Sequence, residues 1–149
     1  MGTVPPAAAE LTVGGLFAEQ LRCGPRRTAL QQGARCISYA ELDDRSTRLA
    51  LHLAASGVGR GDRVAVLSEN RHEYVEAQLA CAKLGAIAAC QNWRLADAEL
   101  LHCLVLVSPR MALVSPRHAG RFAALDHGIP AVLHFGAEYE AALARSEAR

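Results

Sequence analysis

The stretch from Ser56 to Leu95, S-G-V-G-R-G-D-R-V-A-V-L-S-E-N-R-H-E-Y-V-E-A-Q-L-A-C-A-K-L-G-A-I-A-A-C-Q-N-W-R-L, restricts the fold of this chain more than any other. Arg63 to Leu67 is apolar without alternation and rich in valine, the pattern of a strand covered on both faces. Ala86 to Cys90 predicts a second buried strand. Asn70 to Gly85, between them, has helical length, with Tyr74, Val75, Leu79 and Ala82 as the face to be buried and Gly85 as the stop. Asn70-Arg71-His72-Glu73 predicts a side-chain cap with an acid at the third helical position. Parallel neighbours need a crossover of a dozen or more residues, usually a helix, so the stretch predicts one βαβ unit.

The flanking sequence can be placed against that unit. Met1 to Glu10 reads as a flexible leader. Thr12 caps a helix reaching Arg22, with Leu16, Phe17 and Leu21 on one face, and Cys23-Gly24-Pro25 ends it. Thr28 to Gln32 and Arg35 to Ser38 predict a hairpin about Gly33. Ser38-Tyr39-Ala40-Glu41 is a capping box opening a helix. Its apolar stripe is Leu42, Leu49, Ala50 and Leu53, its solvated face Asp43, Asp44, Arg45 and Arg48, and Gly57 sits at its end. After Leu95, Ala96 to Leu106 predicts a helix with Asp97 and Glu99 in its first turn, where negative charge suits the helix dipole. Met111 to Val114 predicts a strand, Ser115-Pro116 a helix start, Ala131 to Phe135 a last strand, and Glu138 to Arg149 an exposed helix. No repeat interrupts this alternation. It predicts an α/β fold, a layered, parallel-rich sheet with helices on both faces. Such sheets bind ligands at the carboxyl ends of their strands, which here are Ser68-Glu69-Asn70, Gln91 to Arg94 and Ser115-Pro116.

Composition narrows the function. A chain of 149 residues suits one domain, and with 51% hydrophobic but only 5% aromatic residues its core must be mostly Ala, Leu and Val. A net charge of +1 offers no field for nucleic acid, which is not expected as a partner. No apolar run approaches the ~20 residues of a membrane span, and the first ten residues lack a secretory pattern, so the chain is expected to be cytoplasmic. Five cysteines without a C-x-x-C pair predict buried reduced thiols, with neither disulfide framework nor metal site. Lys83 is the only lysine, so chemistry that needs an amine must use it or a residue elsewhere.

The candidate chemistry is sparse. Gly57, Gly59 and Gly61 follow a helix and open a strand, the reverse of a phosphate loop, and no G-x-x-x-x-G-K-S/T occurs. The six histidines make no H-E-x-x-H and are expected at the surface or at caps. Ser68 lacks the G-x-S-x-G elbow and reads as loop and cap. The corner Gln91-Asn92-Trp93-Arg94-Leu95 stands apart, because it sets an amide, the only tryptophan and a guanidinium at the carboxyl end of a strand. Arg94 could take a phosphate bidentately and Trp93 could lie against a ring. The commonness of single surface arginines favours the plainer reading, in which Asn92 makes a turn, Trp93 packs on the next helix and Arg94 pairs at the surface.

Four blocks in one order, S-Y-A-E-L-D-D-R-S-T-R-L-A, G-V-G-R-G-D-R-V-A-V-L-S-E-N, E-Y-V-E-A-Q-L-A-C-A-K-L-G-A-I and Q-N-W-R-L, resemble the amino-terminal region of adenylate-forming enzymes, and among these the AMP-forming acyl-CoA synthetases. The likeness runs from Leu11 to Tyr139. It implies that residues 11–149 are part of the amino-terminal α/β domain of an ATP-dependent carboxylic acid–CoA ligase, of the kind that serves fatty acid metabolism. Such an enzyme forms an acyl-adenylate and then the CoA thioester, using ATP, Mg2+ and CoA. The family's phosphate loop and catalytic lysine do not occur in these residues. The resemblance therefore implies no catalytic and no metal-binding residue here, and no productive cofactor binding by this stretch alone. A non-catalytic scaffold or interaction module derived from the fold is the alternative. Arg94 matches the arginine of the family's N-x-R-L block, near the CoA nucleotide phosphates in some members, and Asn92 and Trp93 accompany it. A sheet meant to continue would expose apolar edges, which leaves homo-oligomerisation open.

Overall fold

A computed structural model describes residues 12–146, so the leader at 1–10 lies outside the described residues. Helix α1, Val13–Cys23, is capped by the Thr12 hydroxyl, which accepts from the Gly15 amide at 3.0 Å. Strands β1, Thr28–Gln32, and β2, Arg35–Ser38, form the expected hairpin about Gly33. Helix α2 follows at Tyr39–Ala55, with the Ser38 hydroxyl accepting from the Glu41 amide at 3.1 Å. The Glu41 carboxylate, expected to turn back to Ser38, lies instead 3.6 Å from Arg35.

The main sheet holds β3, Arg63–Leu67, β4, Ile87–Cys90, β5, Met111–Val114, and β6, Val132–His134, all parallel, in the order β4-β3-β5-β6. Helix α3, His72–Leu84, crosses from β3 to β4, while α4, Asp97–Val107, and α5, Pro116–Ala123, make the crossovers to β5 and β6. Helix α6, Ala137–Arg145, closes the chain. Successive side chains of a strand point to opposite faces, and the core divides accordingly. Val64, Val66, Met111, Leu113 and Leu133 pack under α2, α3 and α6. Ala65, Leu67, Ala112 and Val114 pack under Leu100 and Leu104 of α4 and Phe122 of α5. Layering, strand direction and central burial of β3 follow the sequence expectation.

Several expectations need correction. The cap of α3 is Arg71, whose side chain makes no capping bond, and Glu73 is spent on Arg71 at 2.7 Å. Strand β4 is not buried, because it forms the sheet edge and leaves Ile87 52% exposed. Of the three apolar residues expected to face inward on α1, Leu16 is 56% exposed, and Phe17 packs on the cluster of Ile37, Leu42 and Leu79. The helix lies chiefly on α2 and α3, at the rim. Helix α6 is not an exposed tail: Tyr139, Ala142 and Leu143 are buried, Tyr139 edge-on to Phe135 at 5.3 Å. Cys81 is a buried thiol as expected, but Cys23, Cys36 and Cys90 are exposed because they sit on the rim helix, the hairpin and the edge strand.

The charged face of α2 is likewise not all solvated. Arg45 is 13% exposed and forks between two carboxylates, reaching Glu76 at 2.7 Å and Glu140 at 2.7 Å. Glu76 is fully buried on α3 and also accepts from the Tyr139 hydroxyl at 2.5 Å. Three helices, α2, α3 and α6, converge on this one carboxylate. Burial opposes charge on Arg45, but its hydrogen bonds to Glu140 and Glu76 outweigh it and raise the guanidinium pKa. Burial first, then the neighbouring carboxylate, pushes the Tyr139 phenol upward. Lys83 is consumed in the same region, its Nζ donating to Asp43 Oδ1 at 2.8 Å and Thr47 Oγ1 at 2.6 Å.

Candidate functional site at the carboxyl edge of the sheet

The strand order reverses at β3, which sends its chain to β4 on one side and receives β5 on the other. A sheet of this kind leaves a crevice at the carboxyl ends beside such a reversal. Three loops meet there. Ser68-Glu69-Asn70 leaves β3, Gln91–Leu95 leaves β4 and Ser115 leaves β5, the amides of Gln91 and Ser115 donating to Val66 and Leu67 carbonyls at 2.9 and 3.0 Å.

Glu69 joins two of these loops. Ser115, fully buried, donates its hydroxyl proton to Glu69 at 2.7 Å, and Arg71 and His118 lie 3.7 and 3.5 Å from the same carboxylate. Partial burial pushes the Glu69 pKa up, but Ser115, its own backbone amide, Arg71 and His118 outweigh it and hold it below the usual carboxylate range. His118 is 6% exposed, and its Nε2 is buried without a hydrogen-bond partner. Burial, helped by Arg117 and Arg121, outweighs Glu69 and holds its pKa below the ordinary imidazole value. This is not a nucleophilic triad. In such a triad the histidine takes the serine proton, whereas here the carboxylate stands between serine and histidine and the serine is sealed from substrate.

The corner Gln91 to Leu95 is held from α5. Arg121 donates to the Trp93 carbonyl at 2.8 Å and to the Leu95 carbonyl, and its Nε binds Asp97 Oδ1 at 2.6 Å. Asn92 makes the turn, its Oδ1 accepting from the Arg94 amide at 3.0 Å. Trp93 is half-buried and stacks on His118, ring centroids 5.6 Å apart and planes 26° from parallel. Two guanidiniums lie against the same indole, Arg94 at 4.7 Å and Arg117 at 5.2 Å from its centroid. Neither makes an ion pair among the described residues.

The structure thus brings Asn92, Trp93 and Arg94 to one exposed corner and adds His118, Arg117 and Arg121 to it. His118 and His72, expected at the surface or at caps, are both buried, His72 between Gln32 and Arg35. Ser68 is also buried, donating to the Glu69 carbonyl at 2.8 Å. The glycine turn holds no free cradle for phosphate. The Gly59 amide donates to Asp62 at 2.8 Å and the Gly61 amide to the Gly85 carbonyl at 2.9 Å. Arg117 and Arg121 stand four residues apart in P-R-H-A-G-R-F, a signal that one face of α5 is cationic. Only the packing of α5 beside the β4 corner gives that face a place.

A family model described as AMP-binding enzyme matches residues 17–147. The chain belongs to the AMP-binding enzyme family. Within it, the chain is 39% identical over 116 residues to a feruloyl-CoA synthase of Amycolatopsis sp, a match covering 78% of this chain and 24% of that one. It is 33% identical over 152 aligned positions to a 3-oxocholest-4-en-26-oate–CoA ligase of Rhodococcus rhodochrous, covering 91% of this chain and 27% of that one. Among solved structures, the amino-terminal domain of FACL13 from Mycobacterium tuberculosis superposes with a TM-score of 0.83 at 26% identity, covering 93% of this chain and 37% of that one. The chain spans about a quarter of the length of the relatives it matches. The FACL13 structure, itself an amino-terminal domain, shares the α/β fold described above. No helix among the described residues is long and apolar enough to cross a membrane.

Proposed function

We propose that this chain supplies the amino-terminal part of an ATP-dependent carboxylic acid–CoA ligase, with the Asn92-Trp93-Arg94 corner as its contribution to binding the CoA nucleotide. The observation that carries this reading is Arg94 at a strand's carboxyl end, exposed and without an ion-pair partner among the described residues, in a member of the AMP-binding enzyme family. A guanidinium in that position fits a phosphate. The residues present do not fit ATP and Mg2+: the glycine amides are used within the turn, and Lys83 is bound to Asp43 and Thr47. In this reading adenylation depends on residues beyond these 149, and this stretch is scaffold and CoA contact. The five unpaired thiols suit a reducing compartment such as the cytoplasm.

Two measurements test the reading. The 149-residue chain, given ATP, Mg2+, CoA and a panel of fatty and aromatic acids, is expected to release no AMP above background. Turnover in a preparation free of host ligases would overturn it. In a longer chain that carries this sequence and is active, Arg94→Ala is expected to slow thioester formation more than adenylation. Equal loss in both half-reactions rejects the role given to Arg94.

A further inference from the structure

We propose that Arg117 is the second cation of a phosphate clamp built on Trp93, and that this clamp reads phosphoryl charge and not the ring of its ligand. The proposal rests on the CoA-facing reading of the corner and extends it to a residue on another helix. Its first support is charge. With their guanidinium carbons 4.7 and 5.2 Å from one indole centroid, Arg94 and Arg117 stand no more than about 10 Å apart, near the ~8–10 Å screening length of ordinary buffers. The nearby carboxylates are engaged elsewhere, Asp97 with Arg121 at 2.6 Å and Glu69 with Ser115 at 2.7 Å and with Arg71 and His118 beyond. Two like charges so close without counter-charges favour an anion that both can reach.

The second support is the use made of the indole. His118 stacks on Trp93, and both guanidiniums lie against it as well. A cation over an aromatic face is held by the ring's quadrupole, which orders two otherwise flexible side chains. Arg121 holds the backbone that carries the ring by donating to the Trp93 carbonyl. Trp93 is therefore a platform for guanidiniums and not a stacking surface for a purine. The ligand class that follows is a phosphomonoester or pyrophosphate group, gripped by planar N–H forks and indifferent to the base attached.

Trp93 is the only tryptophan, so its emission reports this site alone. The full 149-residue chain would be titrated with pyrophosphate, CoA, dephospho-CoA and adenosine. Pyrophosphate and CoA are expected to change the emission saturably, adenosine not at all. Arg117→Ala is expected to weaken both phosphate ligands about fivefold to tenfold, with Arg117→Lys between it and the parent. Circular dichroism checks that the variants, changed at an exposed residue, stay folded. Absence of pyrophosphate binding, adenosine binding as tightly as CoA, or an unaltered pyrophosphate affinity in Arg117→Ala each overturns the clamp. Tighter binding of CoA than of dephospho-CoA supports the proposed function as well. Equal binding of those two assigns the clamp to the pyrophosphate they share, whereas binding of pyrophosphate without binding of CoA supports the clamp and overturns its CoA assignment.

Discussion

Replacing Arg45 with methionine tests the largest electrostatic commitment in the fold. Glu76 is fully buried and accepts from Arg45 Nε at 2.7 Å, Arg45 Nη2 at 3.2 Å and the Tyr139 hydroxyl at 2.5 Å. Arg45→Met leaves that carboxylate buried, without its cation and with one hydroxyl as its hydrogen-bond donor. Breaking a buried pair from one side costs about 3–5 kcal/mol, against a total stability of about 5–15 kcal/mol for a domain of this kind. Urea unfolding followed by far-ultraviolet circular dichroism at pH 7 measures it. A triple variant, Arg45→Met, Glu76→Leu and Tyr139→Phe, removes every buried polar member of the network and is expected to recover to within about 1 kcal/mol of the parent. The asymmetry is the point, because the loss comes from the stranded charge and not from missing attraction. A cost below about 1 kcal/mol for Arg45→Met, or a triple variant as unstable as the single one, refutes the reasoning.

Acidification should destabilise the fold in two stages. His72 and His118 are held below the ordinary imidazole value chiefly by burial, so the unfolded chain binds protons the folded chain resists, and stability falls as pH drops below about 6.5. Glu73 and Glu140 lie below their ordinary range, Glu73 because Arg71 outweighs its burial and Glu140 because of Arg45. Their contribution is present above about pH 4.3 and lost as pH falls through the lower folded values. Urea midpoints from pH 8 to 3 check this, with His118→Phe expected to soften the first decline, and a midpoint rising on acidification sinks it. Gly85→Ala is expected to cost about 1–2 kcal/mol, since Gly85 ends α3 at φ 68° and an added Cβ stands 3.2 Å from Arg60 Cγ. An unchanged urea midpoint would disprove that.

The fold was legible wherever one local rule decided the outcome. The glycine at the end of α3, the unbroken apolar run of β3 and the Thr12 and Ser38 caps each act within a few residues, and the structure has them where the sequence placed them. What failed depended on neighbours distant in sequence. The edge position of β4 follows from strand order, which an apolar run of four residues cannot encode. Arg45 read as solvated because its helix stripe was apolar elsewhere, while its partners lie 31 and 95 residues away. Tyr139, on a segment that read as an exposed helix, closes the same network. A glutamate on the buried face of α3 breaks the rule that burial follows hydrophobicity, and it is tolerated because its carboxylate is paired and hydrogen-bonded.

The candidate site divides along the same line, and for a reason that lies in the crossovers. Asn92, Trp93 and Arg94 are contiguous, so the strand end that exposes one exposes all three. Arg117, His118 and Arg121 come from the second crossover helix after that corner. They reach the corner because α4 and α5 both pack on the Ala65, Leu67, Ala112 and Val114 face, opposite α3. Parallel crossovers of one hand demand that arrangement once β4 lies on one side of β3 and β5 on the other. The order of four strands is thus what turns the polar spacing of P-R-H-A-G-R-F from a solvated helix face into the wall of the candidate site. Arg121 then fixes the corner's backbone through two carbonyls, and Arg117 brings to Trp93 the charge that Arg94 alone could not double.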